Sequence, residues 1–151
     1  MKPQKPAPND WPRITSAAFY DDPKKAIDWL CEAFGFQVRL LVEGEGGRVE
    51  HSELSYGDGL IMVGGPKPEL GRKSASPRSV GGANTQSMMI YVDDVDAHCE
   101  HARKSGAIIT TEPKTSDYGE DYWSDRAYEA EDPEGHRWWI VQRMRDPKAK
   151  A

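Results

Sequence analysis

The sequence is poor in cysteine and has no long apolar run. Its two cysteines, Cys31 and Cys99, are 68 positions apart (99 − 31). This spacing fits neither a zinc site nor a redox pair, so we expect two buried free thiols. No apolar run approaches the roughly 18 residues needed to cross a bilayer, and the polar, proline-rich start lacks a signal-peptide core. We therefore expect a cytoplasmic protein that does not enter membranes.

Positive charge is also in deficit. The formal net charge of −5 argues against a nucleic-acid surface, which needs an excess of lysine and arginine.

Two catalytic motifs are missing as well. The glycine-rich residues 44–47 join two predicted strands and precede no helix, so they do not form a phosphate-binding loop. No nucleophile elbow is present.

The sequence does contain a strong hairpin signal near its end. The Asp-Pro-Glu-Gly segment at 132–135 is flanked by apolar residues, and it favours a turn because proline presets φ and glycine accepts the positive φ that closes one. The strand that follows carries Trp138 and Trp139 side by side. Since neighbouring side chains on a strand point to opposite faces, we expect one indole in the core and the other in a cleft or interface.

The rest of the chain predicts the same order of elements twice. In each half a strand leads into a helix, which is capped by Asp22 or Asp94 and ends at Gly35 or Gly106. The caps are 72 positions apart (94 − 22) and the ends 71 (106 − 35), so we infer an internal repeat. The predicted strands are residues 14–20, 36–43, 48–56 and 60–64 in the first half, and 87–93, 107–111, 127–131 and 136–142 in the second.

The domain organisation follows from this repeat and from the composition between its halves. We expect two modules joined by an exposed connection rich in glycine, proline, serine and lysine, with a flexible segment at each end. The predicted boundaries are a flexible tail at 1–12, a first module at 13–64, a connection at 65–86, a second module at 87–142 and a flexible C-terminus at 143–151.

Several short motifs in this repeat resemble one known family. The helix caps Asp-Asp-Pro at 21–23 and Val-Asp-Asp-Val-Asp-Ala at 92–97, and the closing Asp-Pro-Glu-Gly-His-Arg-Trp at 132–138, resemble the vicinal oxygen chelate superfamily. That superfamily includes glyoxalase I, bleomycin resistance proteins and extradiol dioxygenases. Ala-Phe-Gly-Phe at 33–36 and His-Ser-Glu-Leu-Ser-Tyr-Gly-Asp-Gly at 51–59 are similar to its bacterial glyoxalase-like subgroup. The resemblance implies an α+β fold of two βαβββ modules, a curled mixed sheet with a central cleft, and a homodimer.

The resemblance also implies a divalent metal in the cleft, held by residues on the first and last strand of each module. The aligned positions carry side chains that are poor ligands for such an ion, because Met is soft, Trp offers no free lone pair and hydroxyls are weak neutral donors. These positions are Thr15 or Ser16, Met62, Ser87 and Trp139. A shift by one residue brings in only Ile14, Ile61, Val63, Met88 and Trp138. We therefore expect no cofactor and no family-type metal.

Alternation along the strands then suggests what the cleft holds instead. If Trp139 faces the cleft, Arg137 shares its face, and Met89 and Tyr91 line the cleft from another strand. This describes an aromatic, methionine-rich surface for a flat or amphipathic organic molecule, aromatic or cationic. The candidate ligand-binding residues are Met62, Met89, Tyr91, Tyr122, Trp123, Arg126, Arg137 and Trp139.

Three other features stay open at this stage. His51 and Glu53 share a strand face, so they form either an acid–base pair or an ordinary structural pair. His98 and His101 are three apart on a helix and lack a third ligand, which favours a surface or core-edge role. The segment 117–126 carries three large aromatic residues and four acids, and it is a gate over the cleft, a dimer contact or a packing loop.

Three functions are consistent with these observations. The first is a binding protein that sequesters a small organic molecule without the family metal. The second is a metal-dependent lyase, isomerase or dioxygenase of the same superfamily, with His51 and Glu53 as its candidate catalytic residues. The third is an accessory module that acts through partner proteins.

Overall fold

The computed structural model describes Lys5 and residues 11–149. Most of the predicted tail at 1–12 and the last two residues of the predicted C-terminal segment lie outside the described residues. The chain divides into two compact units. Unit 1 contains the described residues up to Cys31 together with Gly35–Ala75, and unit 2 contains Glu32–Phe34 together with the described residues from Ser76 onward.

Unit 1 holds one four-stranded mixed sheet. Its elements are β1 (Ser16–Phe19), α1 (Pro23–Phe34, of which the last turn belongs to unit 2), β2 (Gln37–Glu43), β3 (Val49–Tyr56) and β4 (Gly59–Gly64). The strand order is β1-β4-β3-β2, with β1 parallel to β4 and the other pairs antiparallel.

Helix α1 begins and ends where the sequence predicts. The Asp22 carboxylate accepts a hydrogen bond from the Lys25 N–H at 3.1 Å, and Pro23 occupies the first turn, where no N–H is needed. Gly35 ends the helix with φ of 87°, a left-handed conformation that strongly favours glycine.

Unit 2 repeats this arrangement. Its elements are β5 (Met88–Tyr91), α2 (Val95–Lys104), β6 (Ile108–Asp117), β7 (Ser124–Glu131) and β8 (Arg137–Arg145), in the strand order β5-β8-β7-β6. Asp94 caps α2 by accepting from the Ala97 N–H at 3.0 Å. Among the described residues, two βαβββ modules, each with one mixed sheet and one α-helix, confirm the predicted α+β fold class.

The structure differs from the sequence prediction mainly at the ends of strands. β6 and β7 pair as far as Asp117 and Ser124, so the predicted loop at 117–126 shrinks to residues 118–123. β8 continues to Arg145, three residues past the predicted end of the second module. The ends of these strands are largely exposed, so polar residues can occupy them. These residues therefore lack the alternation of apolar and polar side chains by which a strand is predicted from the sequence.

The core of unit 2 is built around Trp138. This indole is 0% exposed and meets the Phe34 ring edge-to-face at a centroid distance of 5.3 Å, a favoured geometry for aromatic pairs. Tyr128 and Ile140 are also completely buried. Of the two cysteines, Cys99 is buried as predicted, whereas Cys31 is only half-buried, so the expectation of two buried thiols is half wrong.

Within the described part of the chain, no helix combines the length and apolar character that spanning a lipid bilayer requires.

Candidate functional site

The two adjacent tryptophans lie on opposite faces of β8, as alternation predicts. Trp138 is 0% exposed, whereas Trp139 is 42% exposed. Trp139 is paired in register with Met89 on the parallel neighbour β5, and Met89 is 55% exposed. We call the side of this sheet that carries Trp139 the open face of unit 2; Met89, Tyr91, Arg137, Trp139 and Arg143 lie on it. It displays large apolar side chains to solvent.

One end of the open face is organised by Arg143, which sequence analysis missed. Its guanidinium donates to the Tyr91 hydroxyl at 2.8 Å and to the Asp125 carboxylate at 2.6 Å. It also lies 5.5 Å from the centre of the Tyr91 ring and 5.7 Å from that of Trp123, within the range of cation–π attraction. Arg143 therefore holds two of the candidate aromatics in place.

The other end of the open face carries a polar group around Glu129, the register partner of Trp139 on β7. The Glu129 carboxylate accepts from the Thr111 hydroxyl at 2.9 Å and from the Arg137 guanidinium at 3.4 Å. The Arg137 Nε is buried and has no hydrogen-bond partner among the residues that the structure describes. An amphipathic molecule lying on Trp139 would thus meet hydrogen-bonding groups at both ends.

The loop at 118–123 joins this face through Trp123. Its ring lies 5.5 Å from Tyr118 and 6.3 Å from Tyr122, centre to centre. Arg145 fastens the loop by donating to both Asp117 carboxylate oxygens at 2.8 and 3.0 Å and to the Gly119 carbonyl at 2.8 Å. The hydrogen bond from Arg145 lowers the pKa of Asp117 to about 2.

The structure brings most of the candidate ligand-binding residues together and leaves two elsewhere. Met89, Tyr91, Arg137 and Trp139 share the open face, with Tyr122 and Trp123 in the adjoining loop. Arg126 points to the other face of the sheet, where its guanidinium binds both Asp96 carboxylate oxygens at 2.8 Å. Met62 belongs to unit 1. Sequence spacing could not reveal the Arg126–Asp96 pair, because 30 positions separate its members.

The second predicted pair, His51 and Glu53, lies on β3 of unit 1. His51 Nε2 and Glu53 Oε1 are 2.9 Å apart, and the Arg39 guanidinium lies 3.4 Å from the same carboxylate. The Trp11 ring stacks near the His51 ring at 6.5 Å, with 19° between their planes. Glu53 is buried, so its two cationic or hydrogen-bonding neighbours offset the cost of removing a carboxylate from water.

The metal positions implied by the family resemblance carry unsuitable side chains in the structure as well. The sequence aligns Met62 with Thr15 or Ser16 and Trp139 with Ser87, but in the structure Met62 pairs with Ala17 and Trp139 with Met89. Among these four paired residues the only donor atoms are soft thioethers and an indole without a free lone pair. Among the described residues, no three His, Cys, Asp or Glu side chains are grouped so that they could hold an ion. The residues present do not fit the family metal.

The fold and these motifs define a member of a known superfamily. A model of the Glyoxalase/Bleomycin resistance protein/Dioxygenase superfamily matches residues 13–140, most of the 151-residue chain. The chain belongs to that superfamily, which confirms the resemblance found in the sequence. It is also 30% identical over 136 residues to an uncharacterized protein of Mycobacterium bovis, covering 89% of this chain and 86% of that one.

Solved structures show the same fold. TioX from Micromonospora sp. ML1 is 27% identical, with a TM-score of 0.65 over 93% of this chain and 98% of its own. A superfamily member from Sphaerobacter thermophilus is 20% identical, with a TM-score of 0.62 over 85% and 94% of the two chains. At the lower identity the likeness concerns the fold alone, since one scaffold hosts many activities.

Proposed function

We propose that this protein binds a small, flat organic molecule on the open face of unit 2, without the divalent metal that the family resemblance implies. The observation that carries the proposal is the exposure of Trp139 next to its register partner Met89. Burying large apolar side chains stabilises a protein, so leaving two neighbouring ones in solvent is costly unless something covers them. An aromatic ligand stacked on the Trp139 ring would do so.

The polar groups around Trp139 favour an amphipathic ligand rather than a strongly cationic one. Acidic residues near the site already have cationic partners: Asp117 binds Arg145, Asp125 binds Arg143, and Glu120 binds Lys148. Their charges are therefore largely compensated, and little negative charge is left to attract the cationic ligand that the sequence analysis considered. Stacking and hydrogen bonding to Arg137 and Tyr91 would instead govern recognition.

A thermal-shift experiment with three planar probes tests the proposal. The probes are proflavine as a cation, 1-naphthol as a neutral molecule and 1-anilinonaphthalene-8-sulfonate as an anion. Binding to the folded state raises the melting temperature by mass action. We expect 1-naphthol to stabilise the wild-type protein and the variant Leu70→Ala, which loses an exposed apolar side chain of unit 1, but not Trp139→Ala.

Equal stabilisation of Trp139→Ala and Leu70→Ala by 1-naphthol would contradict the proposed site. No stabilisation of the wild-type protein by any of the three probes would contradict the proposed binding function itself. A rise in melting temperature with proflavine alone, and with neither of the other two probes, would show that charge, and not stacking, governs recognition.

An enzyme of the same superfamily is the second candidate, and the 2.9 Å contact between His51 and Glu53 favours it. A carboxylate that accepts from one imidazole nitrogen orients the ring and leaves the other nitrogen to exchange a proton. Metal analysis of the purified protein distinguishes the candidates. Stoichiometric Zn, Ni, Mn or Fe that is lost in His51→Gln would favour the enzyme, whereas a metal-free protein that binds 1-naphthol would favour the binding protein.

A further inference from the structure

A pocket lies in unit 1, at the ends of β1 and β4 and under the chain that follows them, and its lining includes His51 and Met62, two of the candidate site residues described above. Its volume is about 160 Å³, which suits a molecule of one ring rather than a drug-sized ligand. Its lining has an apolar part, which we call the floor, and a polar part, which we call the rim. The floor is formed by Ala17, Phe19 and Met62, and the rim by Glu50, His51, Lys67, Arg72 and Ser74.

Positive charge is in excess at this rim, although the whole chain carries a net charge of −5. The Glu50 carboxylate has two cationic neighbours, Lys67 at 3.3 Å and Arg48 at 3.7 Å. Arg48 also pairs with Glu69. Arg72 is exposed and has no ion-pair or hydrogen-bond partner within the described part of the chain, so its guanidinium adds one positive charge that no carboxylate compensates.

Lys67 contributes a fixed hydrogen-bond donor. Its ammonium group donates to the Glu50 carbonyl at 2.9 Å and to the Glu50 carboxylate at 3.3 Å. An ammonium group has three N–H donors, so one remains for a ligand. The two bonds to Glu50 hold the side chain in place, which lowers the conformational entropy that a ligand would otherwise have to remove.

We propose that this pocket binds the carboxylate of a small aromatic acid. The ring would pack on Met62 and Phe19, and the carboxylate would accept hydrogen bonds from Arg72 and Lys67 at the rim. One uncompensated guanidinium matches one negative charge, which favours a monocarboxylate over a phosphate dianion. Arg also matches a carboxylate in geometry, since its planar fork can donate two parallel hydrogen bonds.

Benzoate and benzamide provide a matched pair of probes, because they have the same shape and differ in charge. Titration of the full-length protein, followed by NMR shifts of its backbone amides, gives both the affinity and the place of binding. We expect benzoate to shift the amides of residues 62–65 and 72–74 and to bind more tightly than benzamide. Arg72→Gln should weaken benzoate binding about tenfold, the usual effect of losing a charged hydrogen bond, and leave benzamide binding unchanged.

Lys73→Gln is the matched control. It removes the same charge one position away, at a residue that does not line the pocket. We expect it to change benzoate affinity less than twofold, by long-range electrostatics alone. Equal effects of Arg72→Gln and Lys73→Gln, equal binding of benzoate and benzamide, or no benzoate-induced shifts at 62–65 and 72–74 would each overturn the proposal.

The pocket does not depend on the proposed function, and one variant separates the two. Trp139→Ala should abolish 1-naphthol binding and leave the benzoate titration unchanged. If Trp139→Ala removed benzoate binding as well, benzoate would be bound on the open face of unit 2, and the proposal for unit 1 would be wrong.

Discussion

The indole N–H of Trp138 donates a hydrogen bond to Oδ2 of Asp132 at 3.1 Å. The other carboxylate oxygen of Asp132 accepts from the N–H groups of Glu134 and His136 at 3.1 and 3.0 Å. Asp132 is almost completely buried. The Asp132 carboxylate thus accepts a hydrogen bond from the only polar side-chain atom of Trp138, the largest core side chain. The same carboxylate closes the turn that precedes Trp138. Gly135 completes this turn with φ of 89°.

Asp132→Ala should destabilise the protein by about 3 kcal/mol or more, because it leaves buried N–H donors without an acceptor, each costing about 1–3 kcal/mol. Chemical denaturation measures the loss. The control is Asp58→Ala in the exposed turn between β3 and β4, which should change the free energy of unfolding by less than about 0.5 kcal/mol. Similar losses in both variants would show that the Asp132 hydrogen bonds contribute little.

The two tryptophans of β8 should respond to truncation in opposite ways. Trp138→Ala should lose about 3–5 kcal/mol of stability, as is typical for truncating a buried aromatic residue. Trp139→Ala should lose less than about 1 kcal/mol and lose 1-naphthol binding. Denaturation and probe titration on both variants check this. Equal phenotypes would contradict the separation of a core face from an open face.

His98 should make the stability of the protein depend on pH. Its Nε2–H donates to the Phe34 carbonyl at 3.0 Å, and its Nδ1 accepts from the Tyr128 hydroxyl at 2.8 Å. Burial lowers the pKa of His98 below its ordinary value of 6.5, so the unfolded chain binds this proton more readily than the folded protein. The stabilisation is therefore complete above pH 6.5 and is lost as the pH falls below it.

Unfolding free energies at pH 7.5 and 5.5 measure this effect. His98→Gln should reduce the fall in stability between the two values. The matched control is His101→Gln, which removes a neighbouring histidine that donates to the Glu32 carbonyl at 2.7 Å but is exposed. The role given to His98 is wrong if the free energy of unfolding depends on pH in His98→Gln as it does in the wild-type protein.

Arg145 should control the opening of the loop at 118–123. Arg145→Gln removes the hydrogen bonds to Asp117 and Gly119, so we expect faster hydrogen exchange of the loop amides, among them Tyr122, whose N–H donates to the Gly119 carbonyl at 3.1 Å. In the wild-type protein the contact should weaken as the pH falls below 3.8, the ordinary pKa of Asp117, towards its lowered pKa of about 2.

Lys148→Gln is the control for this loop, because it removes a surface ion pair with Glu120 and leaves the Arg145 contacts intact. Exposed pairs of this kind contribute little, so exchange should stay close to that of the wild-type protein. If the loop amides of Arg145→Gln exchanged no faster than those of Lys148→Gln, the loop would be held instead by the contacts among the rings of Tyr118, Tyr122 and Trp123.

Features that depend on neighbours in the sequence could be predicted, and features that depend on distant pairs could not. The caps at Asp22 and Asp94 and the end of α1 at Gly35 follow from local hydrogen bonding and backbone geometry. The opposite faces of Trp138 and Trp139 follow from strand alternation. These rules act over a few residues, so the sequence alone is enough to apply them.

The side chains that organise the sites are joined by contacts that spacing does not show. Arg143 reaches Tyr91 across 52 positions, and Arg126 reaches Asp96 across 30. The sequence does not distinguish the two arginines. Arg143 supports the open face of unit 2, whereas Arg126 binds Asp96 of α2 on the opposite face of the sheet. The pocket at Lys67 and Arg72 was missed because its charges lie in a segment whose composition predicts only a connection.

The two units share one strand order and carry different side chains on it. Met62 and Trp139 occupy matching places on the last strand of each unit, opposite Ala17 and Met89. One strand order thus carries two different surfaces. Unit 1 places Lys67 and Arg72 beside Ala17 and Met62, whereas unit 2 exposes Met89 and Trp139. A substitution at Met62 or at Trp139 should therefore alter the surface of its own unit and leave the strand order of both units intact.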